Sequence, residues 1–162
     1  MSFLIIDKVH ARVVIFDARG KLHGAALALL GLASGDDSAP GISHRKLISI
    51  RPDEPTTPAG RFVASRDRDV NNREMLWVNY DSAIALHQVV KGAPPERRGQ
   101  RLNSPSPDDN RISYGFINMP LKFYELLVSH RFANTSAIDY ILPETRTAQG
   151  VFSSYDVKTY RQ

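Results

Sequence analysis

Two places in the sequence carry residues that could do chemistry. His87 stands at the end of the apolar run "AIAL", directly before a long polar segment. An imidazole at the end of a strand, beside a loop, is placed where a general base can reach a substrate. The second place is "RISYGF", residues 111–116, where a short strand meets Gly115 and a helix is predicted to follow. Backbone N–H groups at such a turn can bind an anion or form an oxyanion site, with the helix dipole behind them.

Both features also have a purely structural interpretation. A lone histidine after an apolar strand can simply be a hydrogen-bonded structural residue. The turn at Gly115 can be an ordinary connection between a strand and a helix, with Phe116 packed in the core. A phenyl ring offers no nucleophile, so the local pattern alone leaves these alternatives open.

Composition excludes several other classes of site. The 162 residues include no cysteine, so disulfides, thiolate metal sites and cysteine nucleophiles are excluded. The five histidines are scattered, with no pair at i, i+4 on a helix, and no phosphate-binding glycine loop is present. We therefore expect no metal and no cofactor. The net charge of +4 comes without a clustered basic face, so no nucleic-acid partner is expected.

The sequence also lacks the marks of a membrane or export segment. Its longest apolar run, "GAALALLGLA" at residues 24–33, is too short to span a bilayer. The first residues, "MSFLIIDKVH", show neither a basic leader nor a cleavage site. We expect no membrane span and no signal peptide in the chain as given. The oligomeric state is not readable from the sequence.

The elements that must position these residues are mostly strands. Runs rich in Ile, Val and Phe between turn signals predict strands at 3–7, 11–17, 23–31, 45–50, 61–65, 74–79, 82–89, 111–115 and 136–144. The consecutive apolar residues of 74–79 and 82–89 predict central strands that are buried on both faces. Residues 91–110 form a polar, proline-rich segment of the kind that serves as a lid or binding loop.

One segment reads clearly as a helix, at about 119–132. Pro120 suits its first turn, Asn118 or Met119 would cap it, and apolar residues recur on one face. Without an alternation of strands and helices, a parallel α/β fold is excluded. The sequence predicts a mainly β, mostly antiparallel domain over residues 1–145. Residues 146–162 form a polar tail that is loose or docked on the domain.

Several blocks, in this order, resemble the L,D-transpeptidase catalytic domain, the β-rich family that cross-links bacterial peptidoglycan. "LIIDKVHARVVIFDARGKLHGAALALLG" is similar to its opening strands, and "TTPAGRF" to its Thr-Pro-x-Gly-x-Phe segment. "IALH" resembles the strand that ends in the catalytic histidine. "ISYGFINMP" resembles the signature Ser/Thr-His-Gly-Cys, followed by an apolar residue and Asn or Arg. The resemblance covers about residues 3–144 and implies a β-sandwich or barrel-like sheet whose loops cover a cleft.

The resemblance also assigns roles to individual residues. His87 matches the general base, while Ser113, Gly115 and Asn118 match the Ser/Thr, Gly and final polar positions of the signature. The signature turn, with Gly115 at its centre, would then shape the oxyanion site. The chain departs from the family at two positions.

Those two positions are Tyr114, where the signature has His, and Phe116, where it has the nucleophilic Cys. In the family the thiolate attacks a stem-peptide carbonyl and expels D-Ala, which a phenyl ring cannot do.

The resemblance therefore predicts an inactive L,D-transpeptidase-like protein that keeps a cleft for peptidoglycan stem peptides, which contain D-amino acids. It also predicts a periplasmic or cell-envelope location. Three alternatives stay open. Ser113 could act as a substitute nucleophile, or Phe116 could be a change in an otherwise active cysteine enzyme. The chain could also be an interaction module unrelated to the cell wall.

Overall fold

An eight-stranded mixed sheet dominates the computed structural model, which describes residues 1–153. The strands are β1 (Phe3–Asp7), β2 (Arg12–Phe16), β3 (Leu22–Leu27), β4 (Leu30–Gly31), β5 (Gly60–Arg68), β6 (Glu74–Asn79), β7 (Ile84–Gln88), β8 (Arg111–Ser113), β9 (Ile117–Met119) and β10 (Ala137–Ile141). Their order in the large sheet is β3-β2-β1-β10-β5-β6-β7-β9, and β4 pairs with β8 in a small second sheet.

Alternating side chains explain why these runs became strands. In β1, Leu4 and Ile6 are fully buried, and in β10 Ala137 and Ile141 are buried on the same inner side. Because side chains of a strand point alternately to its two faces, this pattern places one face of the sheet in the core. β7 is buried along almost its whole length, as its unbroken apolar run predicts.

The sheet is nearly closed into a barrel. Hairpin neighbours such as β1–β2 and β5–β6 pair antiparallel, whereas β1–β10 and β7–β9 pair parallel. At the outer edge of β9, Leu29 and Asn118 exchange backbone hydrogen bonds of 2.8 and 3.0 Å. The chain that follows β3 therefore closes the gap towards β9. The prediction of a mainly β, mostly antiparallel, barrel-like fold is confirmed.

The strand predicted at 45–50 is wrong. Leu47–Ser49 forms a 3₁₀ turn instead, and Ile48 is 96% exposed. The apolar residues that suggested a strand have no sheet partner and no core to enter. Residues 91–110, predicted as a loop, contain the short helix α1 (Arg98–Leu102) between two 3₁₀ turns.

The main helix lies where it was predicted but begins later. Its first part, α2 (Leu121–Phe123), follows Pro120, and it continues as a π-helix over Tyr124–Ser129. Met119 is not part of the helix, because it ends β9 and pairs with Gln88 of β7. A residue before proline is biased towards extended backbone, which favours this boundary. None of the helices formed by residues 1–153 is long and apolar enough to cross a membrane.

The predicted tail, 146–162, begins with ordered structure. The helix α3 (Ala148–Phe152) is capped by Thr147, whose hydroxyl accepts a 3.1 Å hydrogen bond from the N–H of Gly150. The Phe152 ring lies edge-on to Tyr140 of β10, with ring centroids 6.0 Å apart. Residues 154–162 of the predicted tail lie outside the described residues.

Candidate functional site

A cleft of about 600 Å³ opens above β6, β7 and β9, beside the turn between β5 and β6. Its floor is formed by side chains that share one face of the sheet. In the register, His87 pairs with Asn118, so both side chains point into the cleft. The full lining consists of Leu47, Arg68, Asp69, Val70, Asn71, Arg73, Met75, Trp77, His87, Val90, Arg98, Ser113, Tyr114, Phe116 and Asn118.

His87 is held in one orientation and one tautomer. Its side chain lies on the cleft floor, the residue is only 7% exposed, and Nδ1 lies 2.7 Å from the backbone carbonyl oxygen of Gln88. Because a carbonyl oxygen only accepts, Nδ1 carries the proton and Nε2 keeps its lone pair. Burial lowers the pKa of His87; the Gln88 hydrogen bond opposes this, and the charges of Arg73 and Arg98 add to it. The imidazole is therefore a neutral base at pH 7.

Phe116 is the immediate aromatic neighbour of this base. Its ring lies edge-on to His87, with ring centroids 5.5 Å apart, and edge-on to Trp77 at 6.3 Å. The residue is half-buried and lines the cleft rather than filling the core. An oriented, neutral imidazole thus faces an apolar ring, which cannot act as a nucleophile.

Ser113 is buried, and its hydroxyl is hydrogen-bonded within the turn that it begins. Its hydroxyl donates a 2.6 Å hydrogen bond to the carbonyl of Phe116 and accepts a 3.1 Å bond from the N–H of Gly115. Only 3% of the residue is exposed. Across residues 1–153, no hydrogen bond joins Ser113 to His87. The serine proton therefore points at a backbone acceptor and not at the base.

Gly115 occupies a position that only glycine can take. Its φ is +114°, and an added Cβ would lie 2.8 Å from the Thr56 carbonyl oxygen and 2.9 Å from Cδ1 of Ile84. Its N–H, the expected oxyanion donor, is bonded to Ser113. The helix expected directly after Gly115 begins only at Leu121, because residues 117–119 form β9. The predicted helix dipole behind this turn is therefore wrong.

Asn118 and Tyr114 differ in how much of the residue is exposed. Asn118 is fully buried, donates from Nδ2 to the Phe116 carbonyl at 3.3 Å, and accepts from Arg98 at Oδ1, also at 3.3 Å. Tyr114 is 44% exposed at the rim of the cleft. All six residues singled out from the sequence line the cleft or, in the case of Gly115, form the turn beside it.

Two residues that contribute to the site were not predicted from the sequence. Thr57 is fully buried; its hydroxyl donates to the Gly115 carbonyl at 2.9 Å and accepts from the Gly31 N–H at 2.9 Å. Thr57 lies in the "TTPAGRF" block, whose resemblance to the family marked the segment but gave Thr57 no role. The hydrogen bond to Gly115 shows that this block packs against the signature turn. Arg98, from the polar segment 91–110, reaches across to Asn118, and no pattern in that segment marked it out.

The charge of the lining is net positive. Three arginines contribute, Arg68, Arg73 and Arg98, against one carboxylate, Asp69, which is paired with Arg73 at 2.7 Å. Such a cleft can bind a ligand with a negative group and an apolar part. No group of three or more metal-ligating side chains comes together within residues 1–153.

Comparisons with known proteins bear on the fold. No protein-family model matches the sequence, and the curated proteins gave no match. A solved structure of the L,D-transpeptidase (Yku) from Stackebrandtia nassauensis is similar, with a TM-score of 0.52 at 11% sequence identity. The similarity covers 88% of this chain and 56% of that one, so the chain spans about half the length of this neighbour. An identity this low shows a shared fold alone.

Proposed function

We propose that the chain is an L,D-transpeptidase-like protein of bacterial peptidoglycan metabolism. In this proposal the cleft binds stem peptides but does not transfer an acyl group. The fold similarity to an L,D-transpeptidase supports the family-level part. Since its ligand would lie in the cell wall, the proposal places the protein in the periplasm or cell envelope.

The observation that carries the proposal is the position of Phe116. Its ring lies against His87 in an open cleft, at the signature position that resembles a cysteine nucleophile. Covalent catalysis needs a nucleophile within hydrogen-bond reach of the base, and a phenyl ring cannot supply one. Ordered binding contacts survive the loss of a nucleophile, since they are made by other groups.

The geometry of Ser113 disfavours the alternative of a substitute nucleophile. Its proton is donated to the Phe116 carbonyl and its oxygen accepts from Gly115, so the proton that a general base would remove is not directed at His87. Tyr114 is a further hydroxyl in the motif, but it is exposed at the rim.

A stem-peptide titration tests the proposal. We expect a tetrapeptide muropeptide to cause saturable ¹H–¹⁵N shifts at the amides of His87 and Gly115, without release of D-Ala over the pH range 5–9. Phe116→Ala should weaken binding about tenfold, because aromatic side chains at the centre of a site carry much of its binding energy. Leu126→Ala serves as the control, since Leu126 is exposed on the π-helix and does not line the cleft.

Two results would overturn different parts of the proposal. If no saturable shifts occur near His87 and Gly115, stem-peptide binding is refuted. If the purified protein releases D-Ala and Ser113→Ala abolishes the release, the protein is an enzyme with a serine nucleophile.

A further inference from the structure

Arg98 differs from the other arginines of the cleft in how it is held. Its side chain is 13% exposed, whereas that of Arg73 is 49% exposed. The guanidinium donates from Nε to Glu96 at 2.6 Å and from Nη1 to Asn118 at 3.3 Å. Within residues 1–153, Nη2 has no hydrogen-bond partner. The side chain is thus fixed in place, with the N–H groups of Nη2 left for a ligand.

The surroundings of these N–H groups combine charge with apolar surface. The cleft that Arg98 lines also contains Met75, Trp77 and Phe116. A guanidinium in a fixed orientation donates strong, charge-assisted hydrogen bonds to carboxylates. The apolar side chains beside it would contact whatever group is attached to that carboxylate.

We propose that Arg98 is the carboxylate-binding residue of the cleft, and that the cleft takes ligands with a carboxylate next to an apolar group. Two carboxylates, Asp69 and Glu96, lie among the groups that surround the arginines. The apolar side chains beside the guanidinium favour a negative group that carries an apolar substituent over inorganic phosphate. The inference concerns any such carboxylate and does not depend on the identity of the natural ligand.

The test uses small probes on the whole chain. N-acetyl-D-alanine and its uncharged amide are titrated at low salt, and ¹H–¹⁵N shifts of Phe116 and Asn118 are followed. We expect the acid to bind at least tenfold more tightly than the amide, since hydrogen bonds to charged groups are the stronger ones. Arg98→Gln should remove this preference. Arg97→Gln, the exposed neighbour that does not line this cleft, should keep it.

A second variant is expected to bind the acid more tightly, a result that misfolding cannot produce. Glu96→Gln removes the charge paired with Nε of Arg98, so the acid should bind about two- to fivefold more tightly. Equal binding of acid and amide, or equal behaviour of the Arg98 and Arg97 variants, would overturn the inference. Tighter binding of inorganic phosphate than of the acid would overturn its commitment to a carboxylate. Acid binding that depends on Arg98 would stand even if stem peptides failed to bind.

Discussion

Replacing Lys8 with methionine is expected to lower the free energy of unfolding by about 3 to 5 kcal/mol, because it removes the closest cation from the buried carboxylate of Asp36. Lys8 is fully buried, and its Nζ donates to Asp36 at 2.7 Å and to the carbonyls of Gly35 and Thr57 at 2.5 and 2.9 Å. Glu144 lies 3.5 Å from the same nitrogen. Methionine nearly keeps the volume of the side chain, so the loss reports the charge of Nζ and its hydrogen bonds.

The carboxylate partner of Lys8 is built to stay ionised. Burial by itself raises the pKa of Asp36, but hydrogen bonds from Lys8, from Thr145 and from the N–H of Glu144 outweigh it and hold the pKa well below its usual range. The same lysine binds the carbonyl of Thr57, whose hydroxyl supports Gly115. The Lys8 variant should therefore also shift the amide resonances of the cleft.

Chemical denaturation measures this effect directly. Lys46→Met is the matched control, because Lys46 is exposed, and its stability should change by less than about 0.5 kcal/mol. A loss below about 1 kcal/mol for the Lys8 variant would show that the buried network contributes little to stability.

The second large effect concerns pH, and we expect Asp139→Asn to remove a loss of stability between pH 4 and 8. Asp139 is fully buried on β10, and neither carboxyl oxygen has a hydrogen-bond partner among residues 1–153. Burial raises the pKa of Asp139 to about 8. An unfolded chain has an aspartate pKa near 3.9. The carboxyl is therefore protonated in the folded state at pH 7 but ionised in the unfolded state.

The sign of the effect follows from proton uptake. Between pH 4 and 8 the folded chain binds one proton that the unfolded chain has released, so stability falls as pH rises. The slope is about 1.4 kcal/mol per pH unit within this window, and it vanishes above the folded pKa. Asparagine has the same shape and no charge in either state, so it removes the slope.

Urea denaturation at pH 5, 6.5 and 8 checks this expectation. The difference in unfolding free energy between Asp139→Asn and the parent chain should grow with pH, because only the parent loses stability through Asp139. Contributions from other titrating groups, His87 included, cancel in this difference. Asp53→Asn is the control, since the Asp53 side chain is 70% exposed. A difference that stays constant over the three pH values would refute the raised pKa.

The strands were predictable because buried strands are built from runs of apolar residues. Runs such as "FLIID" and "EMLWVN" became β1 and β6 with the predicted bounds. The same rule failed at 45–50, where Leu47 and Ile48 are apolar but exposed. Apolar character alone does not tell whether a run finds a partner strand.

The site was predictable only in part. The strand end "IALH" pointed to His87 and the signature segment to Phe116, and both line one cleft. The helix expected after Gly115 failed because parallel pairing with β7, a contact distant in sequence, holds residues 117–119 as a strand. Lys8 and Asp36 are 28 positions apart, and no local pattern marks such a pair. Arg98 was hidden in the same way, since its partner Asn118 lies 20 positions further on.

We propose that Phe116 stands in the place of a nucleophile, within reach of His87 as its base. The most direct measurement is the intact mass of Phe116→Cys after incubation with a carbapenem. A thiolate is the reactive form of cysteine, and a positioned base promotes its formation. We expect one covalent adduct, formed at least about 100-fold faster than with Val70→Cys, an exposed thiol at the rim of the cleft.

His87→Gln in the same background should remove most of this advantage, because the thiol would lose its base. A folded Phe116→Cys variant that reacts no faster than Val70→Cys would contradict the claim. In that case the cleft would not be a transpeptidase site that lacks only its nucleophile.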